Sequence, residues 1–390
     1  MDVVTSKEIE SHHYQNVFEA VRNLPGVTVN TNGNVQSSVS SNIYINGSSN
    51  VVVMVDGMRV NTYGNTLANQ DIGTFGDMDS IDRIEILKGS SSTLYGADAQ
   101  GGLINIITRK PEDGTMKTAI GTSFASYDGE KYNISNSGAE NGFFWNIGAQ
   151  KQIQGDFKDG WGRNIVNHLN AYAYNVKFGK DLGNNSDIVF QYRKYKANFI
   201  SPDTGSLSDV RDKGKKDNDF ISLQYRAKIN DKIENKFSIF RNQTRQELNY
   251  NHQGKPSYTG YSNLHMKTTG ISDQLTYVEN DQTITTGIDW YRDEIPHYTG
   301  YTWWGTDQYP VGEGIEGKKV TTAAFYLQDK WDITDAWNVT GGLRYTHNSE
   351  FGSKISPSMV LGYKVSDTTN YYLSYKTFFV TPNEIGRAHV

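Results

Sequence analysis

Ile221-Ser222-Leu223-Gln224-Tyr225-Arg226-Ala227-Lys228 is the stretch that decides the fold. Successive side chains of a β-strand point to opposite sides, so Ile, Leu, Tyr and Ala form one face and Ser, Gln, Arg and Lys the other. One face is dry and the other wet. Working outward, Tyr172, Tyr174, Val176 and Phe178 alternate with Ala173, Asn175 and Lys177 in the same way. Ile284, Thr286, Ile288 and Trp290 alternate with Thr285, Gly287 and Asp289, and Trp337, Val339, Gly341, Leu343 and Tyr345 with Asn338, Thr340, Gly342, Arg344 and Thr346. Each run is about ten residues, the length of a tilted membrane strand.

The connections between these runs alternate as well. Asp181 to Ser186, Ile229 to Glu234, Glu279 to Gln282, Thr334 to Ala336 and Ser366 to Thr369 read as short polar turns, whereas 198–218, 248–266 and 293–319 read as long loops. Short turns at one end and long loops at the other are what a transmembrane β-barrel leaves in its sequence. A soluble β-sandwich or β-helix gives the same local alternation, but has no reason to sort its connections. Tyr, Trp and Phe near the ends of the dry runs match the aromatic girdles of lipid interfaces, and charge on the opposite face matches a polar lumen.

Before Pro111 the pattern differs. Asn16 with Glu19 makes an N-terminal cap, Val17, Val21 and Leu24 fall on one helical stripe, and Pro25-Gly26 ends the helix. Strand-like runs lie at Asn42 to Ile45, Val51 to Val55 (closed by the turn Asp56-Gly57), Ile84 to Leu87 and Leu103 to Thr108. This part reads as a small α+β domain.

Composition narrows the function. The 390 residues carry 38 Lys+Arg against 43 Asp+Glu, a net charge of -5, which gives no electrostatic case for nucleic acid. The longest unbroken apolar run, Val51 to Val55, is far short of the roughly 18 residues of a membrane helix. There is no cysteine, hence no disulfide framework and no thiolate metal site. Residues 1–5 lack the charged and apolar regions of a secretory signal.

From Val51 to Arg109 the chain resembles the plug domain of TonB-dependent outer-membrane receptors. The resemblance is carried by Val53-Met54-Val55-Asp56-Gly57-Met58-Arg59-Val60, by Ile81-Asp82-Arg83-Ile84-Glu85-Ile86-Leu87-Lys88-Gly89, and by Leu94-Tyr95-Gly96-Ala97-Asp98-Ala99-Gln100-Gly101-Gly102-Leu103-Ile104-Asn105-Ile106-Ile107-Thr108. Phe325-Tyr326-Leu327-Gln328-Asp329-Lys330-Trp331 and Gly341-Gly342-Leu343-Arg344-Tyr345 resemble the family's barrel. The resemblance implies an α+β plug, residues 1–112, inside an antiparallel transmembrane barrel, residues 113–384, of which about 13 of about twenty-two strands are present. It also implies import of a scarce ligand across the outer membrane of a diderm bacterium, driven by a TonB-type energy-transducing partner.

Several departures and boundaries follow. Ile45-Asn46-Gly47 and Lys88-Gly89-Ser90 stand where the family commonly has arginines that pair with barrel carboxylates. Lysine lacks the bidentate fork and asparagine lacks the charge, so the plug is expected to be more weakly latched. Val3 to Ile9 resembles the plug's first strand and turn, which puts the segment that adds as a strand to the energy-transducing partner ahead of residue 1. The last strand is expected near Tyr371 to Phe379. Residues 385–390 resemble a translated sequencing adapter and are read as a non-native tail. An unclosed barrel would leave two unpaired edges, so this stretch alone is not expected to insert and function.

The expected ligand site combines the plug apex, where Arg59, Asn61, Tyr63 and Asn65 supply a cation, amides and a ring, with the aromatic loop of Tyr301, Trp303 and Trp304. Planar or catechol-bearing ligands stack on such surfaces. A ferric siderophore is the leading ligand, with cobalamin next because Leu94 to Thr108 and the apex also resemble cobalamin receptors. A glycan ligand, or a passive or adhesive barrel, stands behind both. Haem is disfavoured by Phe379-Val380-Thr381-Pro382, where haem receptors carry Phe-Arg-Ala-Pro. No catalytic group, metal cluster or cofactor is expected. Gly89-Ser90-Ser91-Ser92 lacks the Lys of a phosphate loop, the later glycines open no βαβ unit, and His12-His13 lacks carboxylate companions. Asp156 and Asp159 are too few for a calcium shell.

Overall fold

The computed structural model describes residues 1–31, 41–60, 75, 78–89, 92–96, 99–202, 211–250, 260–304, 307–310 and 315–377. Its N-terminal part is organised around the strand Val51–Val55, all five residues of which are buried. One face, Val51, Val53 and Val55, packs with Phe18, Ile84, Ile104 and Ile106. The other, Val52 and Met54, packs with Ala99 and Leu103. A strand covered on both faces reads as a continuous apolar run, which is why this one does not alternate.

That strand runs parallel to Gly102–Thr108. The five-stranded sheet is ordered Asp2–Thr5, Ile81–Lys88, Gly102–Thr108, Val51–Val55, Met58–Arg59. A parallel pair needs a long crossover, and the chain between 56 and 101 supplies it. Val27–Thr31 and Ser41–Ile45 form a separate hairpin. The helix Val17–Val21 starts as its sequence predicts, with the Asn16 side chain accepting the Glu19 N–H at 2.9 Å. A second helix, Ser6–Ser11, stands where the sequence reading expects only a turn. Thr5 and Glu8 form a reciprocal capping box there, a signal the sequence carries.

The remainder is a meander in which each strand pairs antiparallel with the next, from Thr115–Ala125 to Asn370–Lys376. Thirteen strands lie along this path, and the short Asp307–Pro310 pairs to one side of Gln282–Trp304. Among the described residues the two terminal strands do not pair with each other, so the sheet is an open arc.

Burial along this wall is inverted relative to a soluble sheet. Ile221 and Leu223 are 43% and 41% exposed, while the alternating Ser222 and Gln224 are 3% and 4% exposed. Likewise Tyr174, Phe178, Ile288, Leu343 and Tyr345 are exposed, whereas Asp289, Arg344 and Thr346 are buried. Two sealed layers would hide the apolar face, so the sandwich alternative fails. The polar face is covered because the wall curls around the N-terminal domain, as the contacts below show.

The expected strand lengths need correction. Gln282–Trp304 has 23 residues, Gly260–Glu279 has 20, and Ile233–Tyr250 has 18, against the ten or so that alternation suggests. Much of what reads as long loop in 198–218, 248–266 and 293–319 is therefore ladder. Above the apolar run the outward residues turn charged, so hydropathy no longer marks a strand although the backbone bonds continue. The short turns at Gly183–Ser186, Lys228–Ile233 and Glu279–Gln282 are where the sequence puts them.

Candidate functional site at the plug and wall contact

The centre of the contact is the turn Asp56-Gly57, which joins Val51–Val55 to Met58–Arg59. Both turn residues have positive φ, 50° for Asp56 and 82° for Gly57, the geometry of a two-residue hairpin. A Cβ on Gly57 would lie 2.7 Å from Lys236 Nζ, the movable end of a side chain, so it is the positive φ that calls for glycine here.

The turn aims the Asp56 carboxylate at the wall. It accepts the Thr108 N–H at 2.9 Å and the Thr108 hydroxyl at 2.6 Å from within the domain. From the wall come Lys177 Nζ at 3.5 Å and the Gln191 amide. Lys177 Nζ also donates to Thr108 Oγ1 at 2.6 Å, so the plug hydroxyl bridges the two charges. The Asp56 carbonyl accepts Lys236 Nζ at 2.9 Å and Gln224 Nε2 at 3.3 Å. Burial works against the carboxylate, but the Lys177 charge and the hydrogen bonds from Thr108 and Gln191 outweigh it and hold Asp56 below its ordinary pKa.

Beside this polar hub sits an apolar one. Met58 packs between Phe220 and Phe240 of the wall, with Val60 and Tyr291 against them. Phe240 lies over Gly270, where a Cβ would meet its ring at 2.3 Å, and Asn242 donates to the Val60 carbonyl. On another flank the short helix Ser92–Tyr95 meets the wall. Thr93 Oγ1 donates to Ser358 Oγ at 2.8 Å, and the Leu94 carbonyl accepts Arg344 Nη1 at 3.5 Å. Arg344 is itself paired to Asp289 at 2.8 Å, and both side chains are almost fully buried. A crevice of about 390 Å³ separates the first helix from the first wall strands, between Glu10, His13 and Tyr14 on one side and Lys131 and Asn133 on the other.

The two positions that depart from the family's arginines do not reach the wall in the contacts seen. Lys88 pairs with Asp2 in the neighbouring plug strand, and Asn46 occupies a turn at φ 50°, its N–H donating to the Gly26 carbonyl at 2.8 Å. The charges crossing the contact at Asp56 have the opposite arrangement: carboxylate on the plug, cations on the wall.

Of the expected ligand residues, Arg59 is half-buried on the strand Met58–Arg59, opposite Met54. Asn61, Tyr63 and Asn65 lie outside the described residues. Tyr301, Trp303 and Trp304 belong to the end of a strand rather than to a loop, their backbones pairing with Pro310, Gln308 and Asp307. The Tyr301 ring stands 6.4 Å from that of Tyr261. Arg59 and Tyr301 are thus on separate elements with no contact seen between them. Asp156 and Asp159 are occupied by their own loop: Asp156 accepts from Asn164, the Asn167 N–H and His168, and Asp159 from Trp161 and Arg163. No group of three or more acidic, His or Cys residues at ligand spacing occurs among the described residues. Sequence reasoning missed Lys177, Gln191 and Lys236. The signal was available, since alternation already put Lys177 on the lumen face and Asp56-Gly57 in a turn that must meet that face.

Residues 1–103 match the TonB-dependent receptor plug domain model, and residues 123–387 match the TonB-dependent receptor-like β-barrel model. The vitamin B12 transporter BtuB of Photobacterium profundum is 25% identical over 402 aligned positions, covering 98% of this chain and 59% of that protein. Solved structures share the fold. The ferric yersiniabactin uptake receptor FyuA from Yersinia pestis matches with TM-score 0.75 and 17% identity over 95% of this chain and 63% of its own. The siderophore receptor PirA from Pseudomonas aeruginosa matches with TM-score 0.71 and 19% identity over 98% and 62%. The chain spans about three fifths of the length of these relatives. A polar-lined, apolar-coated wall wrapped around an α+β plug, matched along most of its length by both family models, makes this chain a member of the TonB-dependent receptor family.

Proposed function

We propose that the protein is an energised import receptor of the outer membrane, and that its ligand is a ferric siderophore. The observation that carries the import reading is the separate domain seated against the polar face of the curled wall. A wall with buried Gln224, Asp289 and Arg344 on its inner face is filled by a separate domain held at Asp56, and a passive or adhesive barrel has no use for such a stopper. Transport then requires the Asp56 contacts to loosen, and a TonB-type partner pulling from the periplasmic side supplies the work. Residues 1–112 act as the plug and 113–384 as the wall; residues 385–390, read from the sequence as a non-native tail, lie outside the described residues. The receptor reading is non-enzymatic.

Arg59, Asn61, Tyr63 and Asn65 at the apex and Tyr301, Trp303 and Trp304 at the rim form the proposed ligand contacts. A chelate presenting planar, oxygen-rich groups suits a cation, amides and aromatic faces. Cobalamin is the second reading, favoured by the likeness to the vitamin B12 transporter along 98% of the chain. Uptake of radiolabelled ferric siderophore and of cobalamin by cells expressing the protein tests both. The reading expects siderophore uptake that stops when the inner-membrane potential is collapsed. Uptake of cobalamin instead would replace the ligand, and uptake indifferent to the potential would replace the mechanism.

A further inference from the structure

The ladder between Gly260–Glu279 and Gln282–Trp304 slips at one point, and the slip decides where a histidine points. Asp289 and Tyr291 lie on the wall's inner face, so regular alternation would turn His297 inward with them. Lys267 pairs with Glu294 but His265 pairs with His297, which leaves one extra residue in Gln282–Trp304 at Ile295-Pro296. A bulge of this kind re-aims the side chains beyond it, and Pro296 has no N–H to lose from the ladder. His297 thereby faces outward, directly opposite His265, which shares its face with Ile271. The pair stands beyond the apolar run that ends at Ile271 and Trp290, on the long-loop side.

The bulge is clasped by the chain that leads into Lys319–Asp332. The Ile295 N–H donates to the Lys318 carbonyl at 2.9 Å, and the Gly317 N–H to the Ile295 carbonyl at 2.7 Å. That seats Glu316 beside His297, with Oε1 2.8 Å from Nδ1. A carboxylate at Nδ1 draws the ring proton there and leaves Nε2 with its lone pair, the arrangement that stands behind most metal-ligating histidines. Across the rung, His265 Nε2 is buried and has no hydrogen-bond partner. A buried ring nitrogen is costly to leave so unless a water or an ion takes it. Opposed residues in a ladder hold their Cβ atoms about 5 Å apart, close enough for two imidazoles to share one ion. The cations alongside have carboxylates of their own: Lys267 meets Glu294 at 2.5 Å, and Arg245, opposite His265, lies 3.9 Å from Asp219.

We propose that His265 and His297 bind a divalent transition-metal ion of the imidazole-preferring class, copper(II), nickel(II) or zinc(II), with Glu316 as the positioning residue behind His297. Imidazole suits these ions, whereas calcium and magnesium ask for oxygen. Two protein ligands are fewer than a closed site has, so the ion keeps positions for water. Bound there, it ties Gly260–Glu279 to Gln282–Trp304 and, through Glu316, to the segment ahead of Lys319–Asp332. The site does not depend on which ligand the receptor imports.

The test uses the full chain refolded in zwitterionic detergent and titrated with copper(II) chloride, the nitrogen ligands of the ion being counted by electron paramagnetic resonance. One retained ion carrying two imidazoles is expected. His265→Gln and His297→Gln are each expected to leave at most one imidazole on the ion and to weaken its binding. Glu316→Gln, which keeps both rings, is expected to keep both imidazoles on the ion and to lose about tenfold in affinity. The plug variant His12→Gln, His13→Gln is expected to leave the signal unchanged. With zinc(II), hydrogen exchange at 315–318 is expected to slow in the wild type and not in Glu316→Gln. Circular dichroism checks that each variant folds, and the Glu316→Gln result stands whether or not the histidine variants do. No ion retained by the wild type, a two-imidazole signal that survives loss of His265 or His297 or disappears with His12 and His13, or an unaltered affinity in Glu316→Gln overturns the proposal.

Discussion

The plug and the wall of this chain obey opposite burial rules. In the plug, Ile84, Ile104 and Ile106 are sealed in a core, as in any water-soluble domain. In the wall, Ile288, Phe325 and Leu343 are about half exposed, while Asn242, Gln224 and Arg344 are buried. The difference teaches that burial follows what each surface meets: the inner face of the wall meets a polar plug surface, and the exposed apolar outer face suits the lipid that the receptor reading puts there. The contact at Asp56 is where the two rules meet, and it is accordingly built of charge and amide beside an apolar plug of Met58.

The comparison breaks most sharply if one substitution is placed in both regions. Ile104→Arg puts an unpaired charge into a fully buried plug site and is expected to cost about 5 kcal/mol, seen as protease cleavage across residues 1–112 with the wall still folded. Leu223→Arg, on the outward face, is expected to cost about 3 kcal/mol when unfolding is followed by urea titration in lipid vesicles. Equal sensitivity of the two sites to lipid would contradict the division.

Asp56→Asn sharpens the boundary between the regions. It removes a charged acceptor shared by Lys177, Gln191 and Thr108, and about 2 kcal/mol of plug retention is expected to go with it, measured as the force that extracts the plug in single-molecule pulling. Because the folded-state pKa of Asp56 lies below the ordinary 3.8, its stabilisation is fully present above that value and is lost as pH falls through the lower, folded value. The wild-type force should therefore drop on acidification below about pH 4, and the Asn variant should lack that drop. The smallest effect is expected at Asn16→Ala, about 1 kcal/mol from the lost cap of Val17–Val21, read by hydrogen exchange in that helix.

Much of this was legible in the sequence because the relevant signals are local. Alternation at Ile221 to Lys228 and Trp337 to Thr346 identifies the wall and assigns its two faces, and Val51 to Val55 reads as a strand with the bounds it has. The upper halves of the wall strands read as loop because Lys213 to Asp219 is charged on both faces, so no dry side marks the period. The Asp56 hub escapes for a different reason. Its partners lie more than a hundred residues away, at Lys177, Gln191 and Lys236, and only the curl of the wall around the plug brings them together. The family's arginine positions draw attention to Asn46 and Lys88, whereas the cations that meet the plug carboxylate stand on the wall.

The absence of cysteine from the chain allows the central claim to be tested with single spin labels. Cysteine introduced singly at 221, 222, 223, 224 and 225, labelled in lipid vesicles, reports access to oxygen from the bilayer and to a water-soluble nickel chelate. The account predicts high oxygen access at 221, 223 and 225 and low access at 222 and 224, with the nickel chelate excluded from the odd positions. Uniform access along the five positions, or nickel access at the odd ones, would contradict a lipid-facing wall curled around a plug.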